Sequence, residues 1–211
     1  MRKLILTLLL LCSVSMLSAS TPNTIPKLFA LSFQKSREGD LRAALNAVYQ
    51  ILQKKPKNYT ANLRASWLLY TLKRYDQSEK RYRKTVEIAP RAIEPRLGLL
   101  LPLMAQRKWA QVEEISLNLL KYDPLNYTLN SRLAYVFYVT GRYGEALKYY
   151  NKVVVLYPGD LEMQLGMGWT QYKMGNLREA SHWFQAVLNV MPTNTSARAG
   201  LNALQPRVAR R

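Results

Sequence analysis

Cysteine and histidine each occur once in the 211 residues, as Cys12 and His182. A single cysteine excludes a disulfide framework and a cysteine-built zinc site. A single histidine excludes a multi-histidine metal centre, and no Ser/His/Asp or Cys/His set can be assembled from these parts. His182 lies between Ser181 and Trp183 and reads as an ordinary surface or seam residue. Glycine-rich phosphate loops are missing too, because Gly166 and Gly168 fall within a helical stretch rather than after a strand. With nine glycines and ten prolines, collagen and low-complexity readings fail. Acidic residues are scarce, 13 against 31 Lys and Arg, for a net charge of +18. The densest acidic pair, Glu113-Glu114, reads as a solvated face, since adjacent helical residues do not share a side. These absences predict a non-enzymatic protein with neither cofactor nor metal. What remains is 48% hydrophobic and 21% charged, which suits a folded chain rather than a disordered one.

The longest apolar run, Leu4 to Leu17, falls short of the roughly 20 residues that a spanning helix needs. Arg2 and Lys3 precede it, and the small residues Ser18, Ala19 and Ser20 follow. That three-part layout predicts a secretory signal peptide over 1–20, cleaved near Ala19 or Ser20. Cys12 follows Leu11, where a lipidation site wants a small residue, so it reads as a member of the signal core. The mature chain then contains no cysteine, which suits an oxidising compartment. The expected location is the periplasm or the cell exterior; retention of the segment as a membrane anchor is the alternative. Export makes nucleic acid a poor partner for the positive charge. An anionic envelope component or an acidic protein is the better match.

The prolines reveal the organisation of the rest. Pro56, Pro90, Pro124, Pro158 and Pro192 stand 34 residues apart. A fixed period of this size signals stacked supersecondary units. With proline at position 32, the units span 25–58, 59–92, 93–126, 127–160 and 161–194. Position 15 then holds Gly39, Lys73, Arg107, Gly141 and Gly175, and position 20 holds Ala44, Ser78, Val112, Ala146 and Ala180. Each unit reads as two helices. In the last, helices are expected over 161–174 and 177–190, with Gly175 as the left-handed cap between them. Small residues at position 20 let the helices approach. Tyr150 and Phe184 fill the seam, and the period proline stops the second helix. One such pair cannot bury its own apolar face, so neighbours must stack. A further helix over 195–204 is expected to cover the last seam with Leu201 and Leu204, leaving 205–211 as a basic tail. Unit 3 departs most, with Leu100 at position 8, Ser116 at position 24 and Pro102 inside its first helix, where a bend is expected. The sequons at Asn58, Asn126 and Asn194 partly reflect the repeat.

The pattern resembles the tetratricopeptide repeat family, whose unit carries a small residue at position 8, an aromatic at 11, Gly at 15, Ala at 20, an aromatic at 24 and Pro at 32. Unit 4 matches with Ala134, Phe137, Gly141, Ala146, Tyr150 and Pro158; unit 5 matches with Gly168, Gly175, Ala180, Phe184 and Pro192, but has Gln171 at position 11. The resemblance implies an all-α, right-handed α-solenoid of five units plus a C-terminal capping helix. It also implies a concave groove lined by positions 5, 9 and 12 of the first helices. Those positions supply Phe29, Phe33, Trp67, Tyr70, Leu101, Met104, Tyr135, Tyr138, Trp169 and Tyr172. Positions 9 and 12 stack on one helix face. Apolar, aromatic strips of this kind bind peptides or helices. The family's chaperone-tail readers hold Lys and Asn at these positions, so that role is not expected here.

Two functions follow as expectations. The first is an interaction scaffold or assembly factor of the bacterial cell envelope, holding an apolar or aromatic peptide segment of another protein in its groove. The alternative is a peripheral envelope protein attached to anionic lipid or acidic polysaccharide. Its basic surface would centre on Lys80, Arg83 and Lys84, which lie three or four apart on the second helix of unit 2, while Tyr82 points into the seam.

Overall fold

A computed structural model describes residues 24–204. The expected signal segment 1–20 and tail 205–211 lie outside the described residues. Within them the chain forms five helix pairs and a closing helix: α1 (Ile25–Arg37) with α2 (Leu41–Lys54), α3 (Tyr59–Thr71) with α4 (Tyr75–Ile88), α5 (Glu94–Ala105) with α6 (Trp109–Leu120), α7 (Tyr127–Val139) with α8 (Tyr143–Leu156), α9 (Leu161–Lys173) with α10 (Leu177–Val190), and α11 (Thr195–Leu204). No strand occurs among the described residues. Each helix packs on its sequence neighbours, and α3 on α5, α7 on α9 and α9 on α11 as well. This is an all-α helical repeat solenoid. Among the described residues no helix is long and apolar enough to cross a membrane.

Local chemistry explains the pairs. Position 15 takes a left-handed backbone in every unit: φ is +82°, +78° and +82° at Gly39, Gly141 and Gly175, and +58° and +55° at Lys73 and Arg107. Only glycine reaches this region without a Cβ penalty. Asp40, Asn58, Asn126 and Asp160 cap the helices that follow them, their side-chain oxygens accepting backbone N–H groups. Asn194 does the same for Ala197. Three of these caps are the sequon asparagines, whose carbonyl oxygens are thus engaged. Helix α9 ends at Lys173, one residue earlier than expected. Helix α5 continues through Pro102, which is buried in its final turn; three residues later the helix ends.

A second polar device also repeats. Asn62 Nδ2 donates to the Pro56 and Asn58 carbonyls, both at 2.9 Å. Asn130 Nδ2 donates to the Pro124 and Asn126 carbonyls at 3.0 and 2.8 Å. Gln164 reaches the Pro158 carbonyl at 2.6 Å, and Arg96 reaches those of Pro90 and Ala92. Position 4 of each of these units thus fastens the proline turn that precedes it. Such turns otherwise expose orphan carbonyls.

The seams carry the apolar core. Three clusters run along the array, centred on Val48 and Leu68, on Leu100, Leu133 and Phe137, and on Phe184. Leu201 and Leu204 pack on the last of these, as expected of a capping helix. The aromatic at position 24 faces position 6 of the next unit. A Cβ added to Gly98 or Gly166 would lie 2.3 Å from the ring of Tyr82 or Tyr150, and one on Gly200 would lie 2.4 Å from Phe184. Where position 24 is small, at Val48 and Ser116, position 6 of the next unit is instead an arginine, Arg64 and Arg132. Unit 3 pairs its small Ser116 with a large Leu100 at position 8, both fully buried.

Candidate groove on the first helices

The ten residues expected to line a groove lie on the five first helices, and the structure gives them unequal surroundings. Phe33, Trp67 and Tyr135 are 48%, 42% and 45% exposed, although they are large and apolar. Leu101, Met104, Tyr138, Trp169, Tyr172, Tyr70 and Phe29 are half-buried. None of the ten is buried. Phe33, Trp67 and Leu101 line one hollow of about 490 Å³, with Leu63 and Leu97. Met104, Tyr135, Tyr138 and Trp169 line a second of about 640 Å³. Thr128 and Arg132 line both, so the hollows adjoin there.

Several members also lean on neighbours. Tyr70 packs against Tyr75 with ring centroids 5.8 Å apart, and Tyr138 against Tyr143 at 5.9 Å. Phe29 packs on the N-terminal core cluster. Trp169 meets Phe184 at 5.1 Å and Tyr172 at 5.7 Å, and its indole N–H donates to Ser196 Oγ of α11 at 2.9 Å. It therefore belongs to both the groove and the C-terminal core.

Sequence reasoning passed over the arginines at position 6. Arg64 donates to Ser32 Oγ (2.7 Å), the Ser32 carbonyl (2.8 Å) and Ser36 Oγ (2.9 Å), and its guanidinium carbon lies 3.7 Å from the Phe33 ring centroid. Arg132 donates to the Leu97 carbonyl at 2.9 Å. Burial lowers the pKa of both guanidinium groups, and the charge of Arg132 faces the phenols of Tyr70 and Tyr82. The signal for these residues was the alternation between positions 24 and 6, visible only once the two positions are known to touch.

At the edges of the strip, tyrosines tie units together. Tyr59 donates to Glu94 Oε2 at 3.0 Å, and Tyr127 to Asp160 Oδ2 at 2.6 Å. The Asp160 bond, with burial, pushes the Tyr127 phenol up to about 12.

Lys80, Arg83 and Lys84 of α4 are exposed and have different neighbours. Lys80 and Lys84 line a shallow hollow with Arg81 and Tyr49. Arg83 turns toward unit 3, donating to Glu79 Oε1 and to Gln111 Oε1 at 2.6 Å. Lys84 pairs with Glu87 at 2.8 Å. Tyr82 points into the seam, as expected. Glu113, expected on a solvated face, instead accepts both its hydrogen bonds from Arg142 of the next unit, at 2.9 and 2.8 Å. The reason is tertiary: stacking sets α6 beside the turn before α8. His182 is exposed and touches Trp183 edge-on. Among the described residues no group of three or more His, Cys, Asp or Glu is placed to hold a metal.

No curated protein matches the chain. Among solved structures it is similar to a tetratricopeptide repeat protein from Parabacteroides merdae ATCC 43184, with TM-score 0.78 and 15% identity over 85% of this chain and 72% of that one. It is similar to MamA from Desulfovibrio magneticus RS-1 (TM-score 0.76, 12% identity, 84% and 99% covered). It is also similar to YrrB, described as having an unusual peptide-binding site (TM-score 0.72, 14% identity, 85% and 93% covered). At these identities the likeness is one of fold. One tetratricopeptide repeat profile matches residues 36–100 and 140–204, and a second matches 103–160. Those matches span most of the chain, and the protein belongs to the tetratricopeptide repeat family.

Proposed function

We propose that this protein is a non-enzymatic interaction scaffold that holds an apolar or aromatic peptide segment of another protein in the groove of its first helices. The observation that carries the reading is the exposure of Phe33, Trp67 and Tyr135 along adjoining hollows. A helical repeat array has ample seam in which to bury aromatics, as Tyr82, Tyr150 and Phe184 demonstrate. Large apolar side chains left in water along adjoining hollows fit a ligand surface. Solenoids of this kind commonly bind partners on their concave face. The layout of residues 1–20 supports a place in the bacterial cell envelope, where the protein would serve in assembly.

The alternative, attachment through basic residues to anionic lipid or polysaccharide, draws less support. Glu79 and Glu87 engage Arg83 and Lys84, which weakens the field of that surface. The two readings separate by experiment. A photoreactive residue at Tyr135 in the intact cell envelope should crosslink a protein partner, and raised salt should leave the yield unchanged. Yield from that site that collapses with salt, alongside release of the protein from membranes, would replace the groove reading with the basic one.

A further inference from the structure

The groove is not purely apolar, and the departure is specific. Arg132 stands where the two hollows meet, half-buried, on the face that an occupant would cover. A guanidinium presents five N–H donors. The hydrogen bond this one makes is to the Leu97 carbonyl, and among the described residues it forms no ion pair. Arg64 provides the internal comparison. It occupies the same repeat position two units earlier, and there three acceptors and the Phe33 ring engage it. Arg64 is thus built into the fold by three acceptors, whereas Arg132 makes one hydrogen bond, has the phenols of Tyr70 and Tyr82 near its charge, and lines both hollows. The groove carboxylates do not serve it: Glu94 and Glu162 are exposed, and Glu94 accepts the Tyr59 hydroxyl. A partly desolvated cation lacking an anion is costly, and a charge-assisted, two-pronged bond to a carboxylate relieves that cost.

Resting on the groove reading above, we propose that the peptide is recognised through an internal Asp or Glu whose carboxylate seats on the Arg132 guanidinium. The acidic residue is internal because apolar surface continues on both sides. Phe33, Trp67 and Leu101 lie toward the N-terminal end, and Met104, Tyr135 and Trp169 toward the C-terminal end. A ligand ending in its carboxylate at Arg132 would leave half of that surface uncovered. The charge sets register: it places one residue of the ligand at unit 4 and lets the flanking apolar residues fall into the hollows on either side.

The test uses the full mature chain and fluorescence anisotropy. The probes are acetylated, amidated 11-residue peptides with Glu or Gln at the centre and flanks randomised over Leu, Ile, Phe, Trp and Tyr. A third pool ends in Glu with a free carboxylate and keeps only the N-terminal flank. The Glu pool should bind at least tenfold tighter than the Gln pool. Arg132→Gln should remove most of that preference, and Arg132→Lys should keep part of it; the comparison on the unaltered protein needs neither variant to fold. Trp67→Ala should weaken the Glu and Gln pools alike. Equal binding of the two pools overturns the acidic assignment and leaves the groove reading standing. A preference that survives Arg132→Gln overturns the role of Arg132. Tight binding of the one-flank pool overturns the internal position. Failure of every pool to bind overturns both readings together.

Discussion

Lys73 and Arg107 occupy a backbone conformation that the other three units reserve for glycine. A side chain there costs about 1–2 kcal/mol, partly offset because glycine loses more entropy on folding. Lys73→Gly and Arg107→Gly should each therefore stabilise the protein by about 1 kcal/mol, read as a higher midpoint in urea unfolding. Gly166 makes the opposite case. An alanine there would drive its Cβ into the buried Tyr150 ring. Gly166→Ala should cost about 1–3 kcal/mol. In a Tyr150→Leu background the same change should cost markedly less, because the two positions share one space. Equal costs in both backgrounds would contradict the packing described. Ser116 adds a smaller residue-scale point: its hydroxyl is buried without a partner, so Ser116→Ala should not destabilise.

At the scale of elements, the array is held by polar fasteners as well as by seams. Asn130 secures the turn between units 3 and 4 through two carbonyls. Asn130→Ala should cost about 1 kcal/mol, since it removes two hydrogen bonds to partly exposed turn carbonyls; chemical denaturation measures it directly. Glu79 links α4 to the start of α6. It accepts from Arg83 (2.9 Å), Lys108 (2.6 Å) and Gln106 (3.1 Å). Burial alone would raise this carboxyl, but those hydrogen bonds outweigh it and hold the pKa below the usual carboxylate range. A depressed folded pKa means stability that is present above the unfolded value, near 4.3, and lost as pH falls through the folded value. Melting curves from pH 6 to pH 3 should therefore show a larger loss for the native chain than for Glu79→Gln, which lacks the titrating group. Parallel loss in both proteins would remove Glu79 from the account.

For the whole molecule, the groove and the core compete for the same aromatic residues. Tyr135 touches Trp109 at 6.0 Å but leaves 45% of its surface in water. Tyr135→Ala should change stability by about 1 kcal/mol or less and weaken peptide binding at least several-fold. Trp169 is shared with the C-terminal core and with α11. Trp169→Ala should cost about 3 kcal/mol in stability besides weakening binding. Thermal melts beside anisotropy titrations separate these signatures. A large melting loss for Tyr135→Ala would make that residue core and remove the best-exposed aromatic from the second hollow.

Much of this was written in the chain. The 34-residue proline lattice and the turn at position 15 specify two helices per unit, because each acts through local backbone sterics, and the small residue at position 20 lets the pair close. The capping helix and the inward direction of Tyr82 were legible for the same reason: helical period places one face against a neighbour. The role of each groove aromatic was not. Trp67 and Trp169 hold the same repeat position, yet one stands in water and the other is tied to α11, because only the last unit packs its first helix against a closing helix. The pairing of Glu113 with Arg142, the splitting of the α4 cations and the bond of Arg132 to the Leu97 carbonyl likewise depend on which units touch. Sequence sets periodicity through contacts within a turn or two. Exposure and charge pairing arise between residues about 30 apart, and stacking in three dimensions decides them.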